Sequence, residues 1–77
     1  MQYAAFCKNV KHYRSLKHFT QEKLAEESNL SISYIKQIES EKEYKNISLD
    51  TIFKISKALN VNIGELFSLP SNEKSHS

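Results

Sequence analysis

One local device recurs four times in this chain and restricts its fold more than any other feature. Thr20, Ser31, Ser48 and Asn62 each carry a side-chain oxygen able to accept from the free N–H groups of a helix's first turn. An apolar residue precedes each one, and another follows four positions after it. The pairs are Phe19 with Leu24, Leu30 with Ile35, Ile47 with Ile52, and Val61 with Leu66. That is the spacing of a hydrophobic staple, which sets the angle at which the chain enters a helix. Four such starts specify four helix registers. Asn29 and Asn60 follow the periodic stretches and suit the left-handed position that ends a helix. The last start adds Glu65 three residues after Asn62, as in a capping box.

A fifth helix precedes these near residues 2–16, where Tyr3, Phe6, Cys7, Val10 and Tyr13 recur on one face. By the same periodicity the helix from Ser48 is expected to bury Leu49, Ile52, Phe53, Ser56 and Leu59. Asp50 in its first turn, with Lys54 and Lys57 towards its end, suits the helix dipole. A single glycine and a single proline are too few for the sharp turns of an all-β fold. The expected architecture is therefore all-α, five short helices in one domain over residues 1–67. Residues 68–77 are polar and aperiodic and read as a disordered tail. A core built from 77 residues is small, so close helix packing or dimerisation should be needed for stability.

Several function classes are disfavoured. No apolar run approaches the ~18 residues that span a bilayer, and the N-terminus lacks the apolar core of a signal peptide. A cytoplasmic protein is expected. Cys7 is the lone cysteine, so no internal disulfide forms, and nothing around it activates a thiol. Cys7 and His12 lie ~140° apart around a helix, which is no dyad, and His12 and His18 lack a third ligand. No metal, cofactor or enzymatic activity is expected, because so short a helical chain leaves little room for a pocket.

Charge is unevenly placed although the net value is only +2. Residues 1–20 hold Lys8, Lys11, Arg14 and Lys17 with no acid, whereas residues 21–43 hold six glutamates against three lysines. Such asymmetry fits a protein that presents one face to a polyanion, and equally a solvated surface.

Function concentrates between Thr20 and Ser40, where two short helices are separated only by Asn29, Leu30 and Ser31. So short a turn forces a steep crossing, as in helix-turn-helix units, and the small Ala25 lets the second helix come close. Taking about 100° per residue from Ile35, the residues Ile38 and Glu39 fall within ~60° of it on the core side. Ser33, Lys36, Gln37 and Ser40 fall ~100–200° away. That outward face is hydroxyl, amide and ammonium with no carboxylate. Such groups can meet base edges, and Ile32 at the boundary can meet a thymine methyl. Any solvated helix also shows a polar face.

The stretch TQEKLAEESNLSISYIKQIESEK resembles the helix-turn-helix of the Cro and lambda-repressor-like (XRE) family of small transcriptional regulators. The following SLDTIFKISKALNVNIGELF resembles that family's fourth and fifth helices, and the match runs from near Val10 to Phe67. It rests on Thr20-Gln21, Leu24-Ala25, Ile35, Ile38-Glu39 and Ala58-Leu59-Asn60-Val61 at these spacings. The resemblance implies a five-helix lambda-repressor-like domain that regulates transcription by sequence-specific binding of double-stranded DNA. A homodimer on a two-fold-symmetric operator is implied, as in a phage-type repressor or a restriction-modification controller, with the helix 31–40 in the major groove. Ser33 and Gln37 would contact bases, helped by Ile32 and Lys36. Gln21, Ser31 and Ser40 would contact phosphates, and Arg14 with Glu39 would form a structural salt bridge. Leu66 and Phe67 are implied at the dimer interface.

Two departures stand out. Asn29 replaces the family's usual turn glycine, which left-handed geometry tolerates. The loop SEKEYKNI lacks the usual glycine and proline and is longer than in common members; Lys42, Lys45 and Asn46 are its candidate phosphate contacts. An antitoxin role, masking a toxin partner, stays open. Phe67 and Leu69 can cover a dimer partner or a toxin, or simply close the core.

Overall fold

All four expected caps form as hydrogen bonds. Thr20 Oγ1 accepts from the Lys23 N–H at 2.9 Å, Ser31 Oγ from Tyr34 at 3.1 Å, and Ser48 Oγ from Thr51 at 3.1 Å. Asn62 Oδ1 accepts from Glu65 at 3.0 Å while Glu65 Oε1 accepts from the Asn62 N–H at 3.4 Å, completing the capping box. The computed structural model describes residues 3–40 and 47–68, apart from the Tyr3 side chain. Within them lie five α-helices: α1 (Tyr3–Leu16), α2 (Gln21–Ser28), α3 (Ile32–Ser40), α4 (Leu49–Leu59) and α5 (Ile63–Phe67).

The helix ends show how three of the links are built. After α2, Asn29 is left-handed at φ 58°, with its N–H on the Glu26 carbonyl at 3.2 Å and the Leu30 N–H on Ala25 at 3.0 Å. Asn60 and Val61 repeat this after α4, bonding Lys57 at 3.2 Å and Ser56 at 3.1 Å. These are Schellman closures. The same closure ends α1, where His18 has φ 60° and bonds Ser15 at 3.0 Å, and Phe19 bonds Arg14 at 3.1 Å. So His18-Phe19-Thr20, Asn29-Leu30-Ser31 and Asn60-Val61-Asn62 are one three-residue link used three times. Its first residue is left-handed and its third is the next helix's cap. The apolar middle residue closes one helix and staples the next.

Those middle residues, Phe19, Leu30 and Val61, pack against a core formed by Phe6, Cys7, Val10, Leu24, Ala25, Ile35, Ile38, Ile47, Ile52, Ile55, Leu59 and Leu66. The core face of α4 differs from the periodic reading. Ile52, Ser56 and Leu59 are buried as expected, but Thr51 and Ile55 join them. Leu49 and Phe53 face outward instead, 62% and 50% exposed. Apolar residues cover more than half of this helix's circumference, so periodicity alone admits two faces. The staple turns Ile52 inward, and Ile55, Ser56 and Leu59 follow it at i+3, i+4 and i+7.

Asn9 sits among these apolar residues, 5% exposed. Its amide nitrogen donates to the carbonyls of Leu66 at 2.8 Å and Ser68 at 2.7 Å, tying the end of α5 to α1. Ser68, assigned to the tail by sequence, is thus held by the domain; residues 69–77, including Leu69, lie outside the described residues.

Candidate nucleic-acid interface

The link Asn29-Leu30-Ser31 brings α3 across α2 with Ala25, 6% exposed, at the crossing side of α2. Buried Leu24 and Ile35, with partly buried Leu30, hold the two helices together. Ser28 relieves its burial by donating to the Leu24 carbonyl at 2.6 Å. Rotating either helix would move a staple residue out of the core.

The two faces of α3 separate as the angular reading expects. Ile35, Ile38 and Glu39 are buried, whereas Ser33, Lys36, Gln37 and Ser40 are exposed. Ile32 is half-buried against the core, so only part of its side chain is left for a groove contact. Ser31 caps the helix and is exposed. Ser40 donates to the Gln37 carbonyl at 2.8 Å. Glu39 is the single acid of α3, and it points inward. The outward face therefore carries one ammonium, one amide and two hydroxyls with no negative charge to repel phosphate.

Glu39 meets Arg14 as the resemblance implies. Arg14 Nε donates to Oε2 at 2.6 Å and Nη2 to Oε1 at 2.9 Å, with the side chains 15% and 3% exposed. This is a bidentate, charge-assisted pair whose carboxylate is buried and whose guanidinium is partly exposed. Arg14 Nη1 also donates to the Phe19 carbonyl at 2.7 Å, fixing the α1–α2 link. Sequence reading missed the third member: Gln21 Nε2 donates to Glu39 Oε1 at 3.1 Å. Gln21 and Glu39 are 18 residues apart, so no local spacing signals the contact. Asn9 was missed too, although it lies on the same face of α1 as Phe6 and Tyr13. A polar residue inside an apolar stripe was the available signal.

The other site expectations are sorted by burial. Lys42, Lys45 and Asn46 lie outside the described residues. Leu66 is fully buried in its own core, and Phe67 stacks on Phe6 with ring centroids 5.2 Å apart. Both help close the core: Leu66 has no exposed surface, whereas Phe67 is partly buried and keeps some. The exposed large apolar side chains are Leu16, Leu49 and Phe53. Among the described residues no cluster of three or more possible metal ligands exists, and no helix is long and apolar enough to cross a membrane.

A helix-turn-helix family profile matches residues 10–66. The control protein C.SmaI of Serratia marcescens is 38% identical over 58 residues, covering 75% of this chain and 67% of that protein. The crystal structure of the restriction-modification controller protein C.AhdI from Aeromonas hydrophila superposes with a TM-score of 0.76 at 33% identity, over 86% of this chain and 97% of that one. The hypothetical transcription factor NHTF from Neisseria gives a TM-score of 0.83 at 27% identity, over 100% of this chain and 86% of its own.

Proposed function

The chain belongs to the helix-turn-helix family of DNA-binding transcriptional regulators, and we propose on that basis that it controls a restriction-modification gene pair. Its relatives C.SmaI and C.AhdI, named as control and controller proteins, support that assignment. It works as a cytoplasmic homodimer on a two-fold-symmetric operator and carries out no chemistry of its own. One observation carries the DNA-reading part: α3 buries Ile35, Ile38 and Glu39 and exposes Ser33, Lys36 and Gln37. That leaves an acid-free polar ridge on a packed crossing.

With α3 in the major groove, Ser33 and Gln37 read base edges, Gln37 suiting adenine, while Lys36 and the exposed part of Ile32 assist. Gln21, Ser31 and Ser40, with Lys42, Lys45 and Asn46, bind the backbone and set the register without reading sequence. One reading helix per chain calls for two copies on half-sites about 34–36 Å apart. Leu49 and Phe53, one turn apart on α4, form the exposed apolar surface we assign to that contact.

In-vitro selection from a random duplex pool at physiological salt tests the reading directly. A short two-fold-symmetric site should emerge, and no enrichment over competitor would end the proposal. Gln37→Ala should relax preference at a single base position by about 1–3 kcal/mol. The neighbouring genes test the biological role. A restriction and methylation pair is expected, while a toxin gene alone would favour the antitoxin role.

A further inference from the structure

The buried carboxylate of Glu39 accepts three hydrogen bonds from two other helices: two from Arg14 and one from Gln21 Nε2 at 3.1 Å. A carboxylate can only accept. It therefore dictates which end of the Gln21 amide turns inward: the nitrogen faces Glu39, and a flipped amide would set two oxygens against each other. One N–H is used there, and the second remains on the same nitrogen. Gln21 is the first residue of α2, directly after the Thr20 cap and half-buried, at the end of a helix where backbone N–H groups favour an anion. Arg14 balances the carboxylate's charge, so Glu39 holds the amide without adding net repulsion for phosphate.

Resting on the reading of Gln21 as a phosphate ligand, we infer that Glu39 is the positioning residue for that contact. It presents the second N–H of Gln21 to the DNA backbone. Because Glu39 lies in α3, the same carboxylate links the helix that reads bases to the side chain that anchors the backbone. The Arg14–Glu39 pair thus serves DNA affinity as well as the fold.

A coupling experiment separates these roles. Affinity for the selected operator duplex is measured for the wild type, Gln21→Met, the apolar pair Arg14→Met/Glu39→Met, and the triple variant, each verified as folded by urea melts. Gln21→Met should weaken binding about tenfold, as loss of one charge-assisted bond does. The same substitution in the apolar-pair background should change binding less than about twofold, because the amide there is already unoriented. Glu39→Gln, which keeps an acceptor oxygen, should retain Gln21's contribution. An equal loss in both backgrounds overturns the positioning role while leaving Gln21 as a ligand. No loss from Gln21→Met in the wild type overturns the ligand reading, and the positioning role falls with it. Should the apolar pair not fold, side-chain amide NMR of the intact protein decides. One Gln21 amide proton should be displaced downfield without DNA and the other should respond on adding duplex. Both protons at the positions of a free glutamine amide without DNA would refute the proposal.

Discussion

Replacing Arg14 by methionine leaves the Glu39 carboxylate, 3% exposed, with Gln21 as its one remaining donor among the bonds described. Stranding a buried charge in this way costs about 3–5 kcal/mol. At about 0.05–0.15 kcal/mol per residue, a 77-residue chain has roughly 4–12 kcal/mol of stability in total. The single substitution therefore removes about a quarter of it or more. With a urea m-value near 1 kcal/mol/M, the midpoint should fall by about 3 M or more. Removing both partners is different, because two apolar side chains need no hydration replaced; Arg14→Met/Glu39→Met should regain most of the loss or exceed the wild type. The exposed pair Lys23–Glu27, at 3.1 Å with side chains 48% and 44% exposed, provides the control. Glu27→Gln should cost no more than about 0.5 kcal/mol. Urea unfolding followed by circular dichroism reads the three variants against the wild type. An Arg14→Met cost below about 1 kcal/mol would refute the reasoning, since the ion pair would then behave as though in water.

Asn9→Ala should destabilise by about 2–3 kcal/mol, because it strands the Leu66 carbonyl in a buried position and frees that of Ser68. Hydrogen exchange at α5 should rise above that of α2; uniform exchange would argue against the clamp. Asn29→Ala should cost about 1 kcal/mol in thermal melts and Asn29→Gly close to nothing, because φ 58° penalises a Cβ. Equal effects would show that the left-handed closure contributes little. Ala25→Leu should overpack the α2–α3 crossing and cost about 1–3 kcal/mol. Phe53→Asp should shift sedimentation from dimer to monomer with the melting temperature of the protomer unchanged. A dimer that survives would move the interface off α4.

Helix number, their starts and the exposed face of α3 were legible along the chain, for a physical reason. Caps, staples and left-handed Asn closures act over three to six residues, so the sequence window contains both partners of each interaction. His18 shows the margin of that rule: its closure follows the same triplet, but histidine is a less usual residue for a positive φ and gave no flag by type. The Arg14–Glu39 pair was available only through family likeness.

Three features needed tertiary contacts to settle them. The inward face of α4 went to Ile55 over Phe53 because residues far along the chain surround it. Leu66 and Phe67 turned towards α1, Leu66 wholly into the core and Phe67 in part. Gln21 found Glu39 across two helices. In each case several arrangements satisfied the local rules equally, and only burial and pairing with residues distant in sequence separated them. Helices and their registers are local matters, whereas the choice of which apolar face is shared and which polar groups meet belongs to the packed whole.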